Sequence, residues 1–129
     1  AMPEATAALL GSLPVDAWRA RRKANHDVLC QGLLQLPQLE VLKPAAGDCV
    51  PFSAFVVCQS PALRERVRRR LIEARVYPAV LWSLDEPLLP VPEEDLDLSL
   101  RALSLHCDFR YSSSDLERVA ALVARAVEA

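Results

Sequence analysis

A chain of 129 residues amounts to one domain of common size, and with 52% hydrophobic and 25% charged residues it can bury enough apolar surface to fold. A net charge of −2 gives no overall attraction to nucleic acid or to anionic lipid. No apolar run approaches the roughly 18 residues of a membrane span, and no basic segment precedes an apolar one at the N-terminus, so a soluble, cytoplasmic protein without nucleic-acid or membrane partners is expected.

Ala1, ahead of Met2, reads as a cloning remnant. Pro3 to Leu10 predicts a short helix closed by Gly11, a residue that tolerates the left-handed cap conformation. After Leu13-Pro14 the spacing predicts a longer helix from Val15 to Leu36. Trp18, Asn25, Leu29, Leu33 and Leu36 fall near one side of it and Arg19, Arg22, Lys23 and Asp27 largely elsewhere; Pro37 ends it. Leu39 to Pro44 places apolar side chains at Leu39 and Val41 and predicts a strand. Beyond the loop AAGDCVP, Phe52 to Cys58 is rich in aromatic and β-branched residues and predicts a second strand, antiparallel to the first.

Ser60-Pro61 is a helix-start signal, serine as cap and proline in the first turn. The helix runs to about Ala74, with Leu63, Val67, Leu71 and Ala74 as its core stripe and arginines 64, 66, 68, 69, 70 and 75 over much of the rest. Val76 to Leu84 predicts a strand with a proline in it, which belongs at an edge or at the strand's start. Asp85 to Asp95 predicts an exposed loop. Leu96 to Ala102 reads as a short helix, although Leu96, Leu98 and Leu100 also alternate as in a strand. Leu103 to Phe109 predicts the last strand. Ser114 with Glu117 matches the capping box of a final helix, Asp115 to about Val127, with Leu116, Val119, Leu122, Val123 and Val127 on its buried side.

The order is helix-strand-strand-helix-strand-strand-helix, an α+β fold with a small, mostly antiparallel sheet and helices packed on one face. Residues 1–14 form an N-terminal segment with a linker helix, and residues 15–129 a single module.

His106, Cys107 and Asp108 stand side by side and invite reading as a nucleophile with its base. Successive side chains of a strand point to opposite faces, so Cys107 shares a face with Leu103, Leu105 and Phe109, and His106 and Asp108 share the other with Ser104. A Cys–His dyad needs hydrogen-bond reach and a third orienting group. A core Cys107 beside a hydrogen-bonded or partly exposed His106 follows instead. Cys30, Cys49, Cys58 and Cys107 include no CxxC pair, so no metal site is expected, and reduced, mostly buried thiols are.

The run RERVRRR suggests nucleic acid, but no aromatic residues interleave with the arginines. A solvated helix face balanced by Glu65 and Glu73 is the better reading, with an anionic ligand or acidic partner left open. Tyr77 and Trp82 flank a proline-bearing strand that leads into an irregular loop, a common lining for a ligand cleft. Gly11, Gly32 and Gly47 form no phosphate loop, and no HExxH or GxSxG sequence occurs. No catalytic residues are assigned.

Three stretches together resemble a known family: WRARRKANHDVLCQGL, RERVRRRLIEARVYPAVLW and LSLHCDFRYSSSDLERVA. They look like the C-terminal small domain of fold-type I aminotransferases dependent on pyridoxal phosphate, of the DegT/StrS type that includes sugar aminotransferases. In that family a leucine-rich strand commonly leads into an Asp-x-Arg-Tyr turn and an acid-capped helix; Asp108, Arg110, Tyr111 and Asp115 fit it. His106 departs from the proline often found there, and Phe109 from a polar residue.

The resemblance implies that the cofactor, held in the full-length family by a large domain, has no binding residues in this chain. It further implies a role as substrate lid or docking module without catalysis alone, with a large cofactor-binding domain or a homodimer mate as partner. Tyr77, Trp82 and Arg110 are the substrate-facing candidates it implies. From a different class, a small α+β regulatory module could sense an anionic metabolite through Arg64 to Arg70, and a dimerisation domain is a third reading. The preference for arginine over lysine points to a GC-rich bacterial genome.

Overall fold

The computed structural model describes residues 3–43 and 49–128. Among them α1 spans Glu4–Gly11, α2 Val15–Leu33, β1 Leu39–Leu42, β2 Ser53–Cys58, α3 Pro61–Glu73, α4 Glu93–Arg101, β3 Ala102–His106 and α5 Ser113–Glu128. Most of the loop AAGDCVP, Ala45 to Asp48, lies outside the described residues. The strands form one antiparallel sheet in the order β1-β2-β3, and the fold is α+β as the sequence implies.

Register explains the core. Ala54 faces Leu105 and Val56 faces Leu103 across β2 and β3, while Val56 faces Val41 and Cys58 faces Leu39 across β2 and β1. Residues directly opposite share a face of the sheet. That face meets Leu29 and Leu33 of α2, Leu63, Val67 and Leu71 of α3, and Leu116, Ala120 and Val123 of α5 in one cluster. Truncating any of the fully buried leucines would cost roughly 2–5 kcal/mol. Gly32 lets α2 and α5 close on each other: a Cβ there would stand 2.6 Å from Cβ of Ala120.

The helix starts follow capping chemistry. Ser60 Oγ accepts from the Leu63 amide at 3.2 Å with Pro61 next in line, as expected. The capping box of α5 is not Ser114 with Glu117 but Ser112 with Asp115. The Asp115 amide donates to Ser112 Oγ at 3.2 Å, and the Ser112 amide to Asp115 Oδ2 at 2.9 Å. Both pairs have the right spacing; the chain turns in earlier because Asp108 to Tyr111 is held against α2. Helix α4 starts at Glu93, before the expected Leu96, with Glu93, Glu94 and Asp95 in its first turn, where acids favour a helix.

The strand expected over Val76 to Leu84 does not form. Its pairing is a single bridge, in which Ala79 and Ser104 exchange both backbone hydrogen bonds at 2.9 Å. Pro78 supplies no donor, and left-handed residues stand on either side, Arg75 at φ 63° and Trp82 at φ 53°. Arg75 is the cap residue of a Schellman motif: its amide reaches the Ile72 carbonyl at 3.0 Å, and that of Val76 reaches Leu71 at 2.8 Å. This position usually carries glycine, and a left-handed L-residue costs about 1–2 kcal/mol there. Elsewhere α2 stops at Leu33 rather than Leu36, and β3 ends at His106, short of the expected Phe109.

The turn after β3 is latched to α2 by residues at helical spacing. The Trp18 and Phe109 rings stack at 4.7 Å. Arg21 Nε donates to the Tyr111 carbonyl at 3.4 Å, and Arg22 pairs with Asp108 at 3.2 Å. Asn25, fully buried, donates to the carbonyls of Asp108 at 2.8 Å and Tyr111 at 3.1 Å. Arg110 closes the turn on Asp108 through its backbone amide at 3.0 Å and its side chain at 2.7 Å. Burial raises the Asp108 pKa, but the bonds from Arg110 and the nearby Arg22 charge outweigh it and hold the carboxyl below its usual value.

Two outcomes follow. Replacing Arg75 with glycine removes the left-handed penalty and should stabilise the fold by up to about 1 kcal/mol in chemical denaturation, the gain being offset in part by glycine's unfolded-state entropy. The second concerns Asp108. Because its folded pKa is depressed, its contribution is full above the unfolded value of about 4 and is lost as pH falls through the folded value. Asp108→Asn should therefore cost about 1–2 kcal/mol near pH 7. That gap should shrink as pH falls below the unfolded value, whereas a gap independent of pH would mean that the carboxylate charge is not its source.

Candidate functional site

A groove of about 380 Å³ opens at the β3 edge of the sheet, where the end of β3, the first turns of α5 and the segment after α3 meet. Leu105 and His106 line it from β3, Asp115, Leu116, Arg118 and Val119 from α5, and Arg75, Val76, Tyr77 and Pro78 from the connecting segment, with Tyr111 at the turn. The Arg118 guanidinium is held in place by donating to the Ala74 carbonyl at 3.1 Å. Asp115 is kept below its usual pKa by its bonds from Ser112.

The three residues singled out from sequence are not brought together in this groove. Tyr77 lines it. Trp82 lies on the sheet face away from the core, 75% exposed, its ring 6.4 Å from that of Phe55. Arg110 is committed to Asp108 in the exposed turn. Arg75, His106, Tyr111 and Arg118 were missed as groove residues. Only the fold brings them together, since Arg75 and Arg118 come from elements far apart in the chain.

The same face explains Trp82. Leu42, Ser53, Phe55, Ser104 and His106 alternate onto it, opposite the core positions. At one end it is closed, with Val57 and Ala102 buried where α4 meets β2. Toward the other end it is open and apolar: Leu42 and Phe52 are exposed, and Phe52 meets the edge of His106 at 6.5 Å.

His106 and Cys107 part as strand alternation requires. Cys107 is fully buried with its thiol toward the Pro51 and Phe52 carbonyls, and His106 is exposed. A second trio, not anticipated, lies on α2: His26 Nε2 is 3.4 Å from Cys30 Sγ, and His26 Nδ1 is 3.5 Å from Asp27. Its thiol is sealed in the core and pushed up to about 11 by burial and by Asp27, so it stays protonated and is no nucleophile. Burial likewise pushes Cys58 and Cys107 up to about 11. Cys49 alone is exposed, and no disulfide joins the four.

The arginines of α3 are largely occupied. Arg64 donates to the Leu100 carbonyl at 2.9 Å and Arg66 to that of Ala126 at 3.0 Å, while Arg68 pairs with Glu65 and Arg70 with Glu73. Among the described residues no trio of His, Cys, Asp or Glu is placed to hold a metal, and no helix is long and apolar enough to cross a membrane. Pyridoxal phosphate chemistry needs a lysine amine. The groove has none, Lys23 stands on the exposed side of α2, and Lys43 is exposed just past β1. These residues do not fit that cofactor.

The sequence matches no family model and no curated protein. Solved structures do match. The aminotransferase TlmJ from Streptoalloteichus hindustanus superposes with a TM-score of 0.74 at 19% identity, over 84% of this chain and 31% of that one. A putative sugar aminotransferase, Spr1654 from Streptococcus pneumoniae, solved in its PMP form, gives 0.72 at 13% identity over 88% and 31%. The synthase of 3-amino-5-hydroxybenzoic acid gives 0.69 at 17% identity over 88% and 35%. The chain thus spans about a third of the length of each, and it has the fold of that portion of these enzymes, in line with the resemblance of its sequence to an aminotransferase small domain.

Proposed function

We propose that this chain acts as the C-terminal small domain of a pyridoxal-phosphate-dependent, sugar-type aminotransferase of the DegT/StrS type, in a bacterial cytoplasm. It closes over a cofactor half that it does not itself contain, and it turns over nothing alone. The observation that carries this reading is the open, aromatic end of the sheet's outer face. Trp82, 75% exposed, lies against Phe55 on the face that carries Leu42, and Phe52, 67% exposed, lies against His106 at the open end of that face. An apolar, aromatic surface of this kind marks an interaction site, and burying Phe52 and Trp82 would contribute roughly 3–6 kcal/mol to docking.

Further support comes from the geometry of Trp82. A bulky aromatic residue held left-handed is a backbone outlier. Such strain gathers where a side chain must be presented to something else. Tyr77, at the other end of the same segment, faces the groove beside the open face and would meet substrate from the lid side. Arg110 fits the reading least, because Asp108 already holds its guanidinium.

Two measurements test the proposal. Assembled with a large domain that carries the Schiff-base lysine, the Trp82→Ala chain should associate at least about tenfold more weakly than the parent. Its own unfolding midpoint should not move, since the indole is mostly in water. In the isolated chain, stoichiometric pyridoxal phosphate followed by borohydride should leave Lys23 and Lys43 unmodified by mass spectrometry. A fixed adduct on either would locate the amine chemistry here and contradict the proposal.

A further inference from the structure

We infer that the groove at the β3 edge is a binding site for a small oxyanion, phosphate or carboxylate, carried on a compact apolar body. This goes beyond the docking role and does not depend on it, because every lining group belongs to this chain. The volume, about 380 Å³, lies near the lower end of the range for small-molecule sites and suits a single-ring molecule.

Charge decides the ligand's sign. Arg75 and Arg118 enter from separate elements. No described residue pairs with the Arg75 guanidinium, and the hydrogen bond that positions Arg118 is to a neutral carbonyl, with Asp115 near enough to feel its charge. The one carboxylate, Asp115, is spent on the helix cap, accepting from the Ser112 amide at 2.9 Å and the Ser112 hydroxyl at 2.6 Å. Two guanidiniums with planar donor forks match a phosphate or carboxylate, and the phenols of Tyr77 and Tyr111 add donors at the rim.

Apolarity decides the rest of the ligand. Val76, Pro78 and Val119 supply aliphatic surface beside the charged groups, backed by the buried Leu105 and Leu116, so a bare inorganic ion would leave it unused. The left-handed backbone of Arg75 points the same way. It is the Schellman position that glycine fills without strain, yet it carries the guanidinium.

The isolated full chain suffices for the test, with phenyl phosphate as probe and benzoate and inorganic phosphate as comparators, titrated by calorimetry at low and high salt. Phenyl phosphate should saturate with a Kd on the order of 0.1–1 mM, weaken with added salt, and bind about tenfold more tightly than inorganic phosphate. Benzoate binding as well as phenyl phosphate would assign the carboxylate as the source, and weaker benzoate binding the phosphate. Arg75→Gly should weaken phenyl phosphate at least about tenfold without lowering the unfolding midpoint, and Arg75→Lys should restore part of the loss. No saturable binding of either aromatic anion, or an Arg75→Gly chain that binds like the parent, would overturn the assignment. Equal affinities for phenyl phosphate and inorganic phosphate would overturn its apolar half.

Discussion

The pairing of β2 with β3 is the constraint from which the rest of the molecule follows. Its register sets Ala54 against Leu105 and Val56 against Leu103, and those four side chains meet three helices in one core. With a period of two, the same register sends Ser53, Phe55, Ser104 and His106 to the other face. A slip of one residue would exchange the two sets, so the helical layer and the bare aromatic face are two consequences of a single alignment. Small sheets need a cover on the apolar side; the helical layer covers one face of this sheet completely, while the other is covered at Val57, Ala102 and Ser104 and open toward Leu42 and Trp82.

Position beyond the sheet is set by the turn after β3. Asp108, Phe109 and Tyr111 are gripped by Trp18, Arg21, Arg22 and Asn25, residues on successive turns of α2. This grip aims the start of α5, which supplies Arg118 and Val119 to the groove. A second device, the left-handed Arg75, turns the chain out of α3 and brings Tyr77 and Pro78 to the same groove. The turn contributes by positioning, and Arg110, the substrate-facing candidate implied by family likeness, pairs there with Asp108 on the exposed side.

Much of the architecture was legible in the residues. Ser60-Pro61 and the Leu63, Val67 and Leu71 stripe located α3, and the alternation around Cys107 separated it from His106. The failures have physical causes. Val76 to Leu84 is rich in strand-forming residues, but propensity cannot register a Schellman cap on Arg75 or a second left-handed residue at Trp82, which leave room for only one bridge. Two overlapping serine-acid pairs both fit a capping box, and the grip on Asp108 to Tyr111 chose the earlier. The groove was invisible because its guanidiniums come from different elements and meet only through the fold. His26 and Cys30 stand four residues apart on α2, a spacing that puts them on one face of the helix among its buried leucines.

Hydrogen exchange across the chain, alone and then assembled with a cofactor-binding large domain, probes the uncovered face most directly. Docking through that face predicts new protection in residues 52–57 and 76–84, with the outward surfaces of α2, α3 and α5 unchanged. Protection confined to the helical layer, with the sheet's bare side exchanging as before, would contradict it.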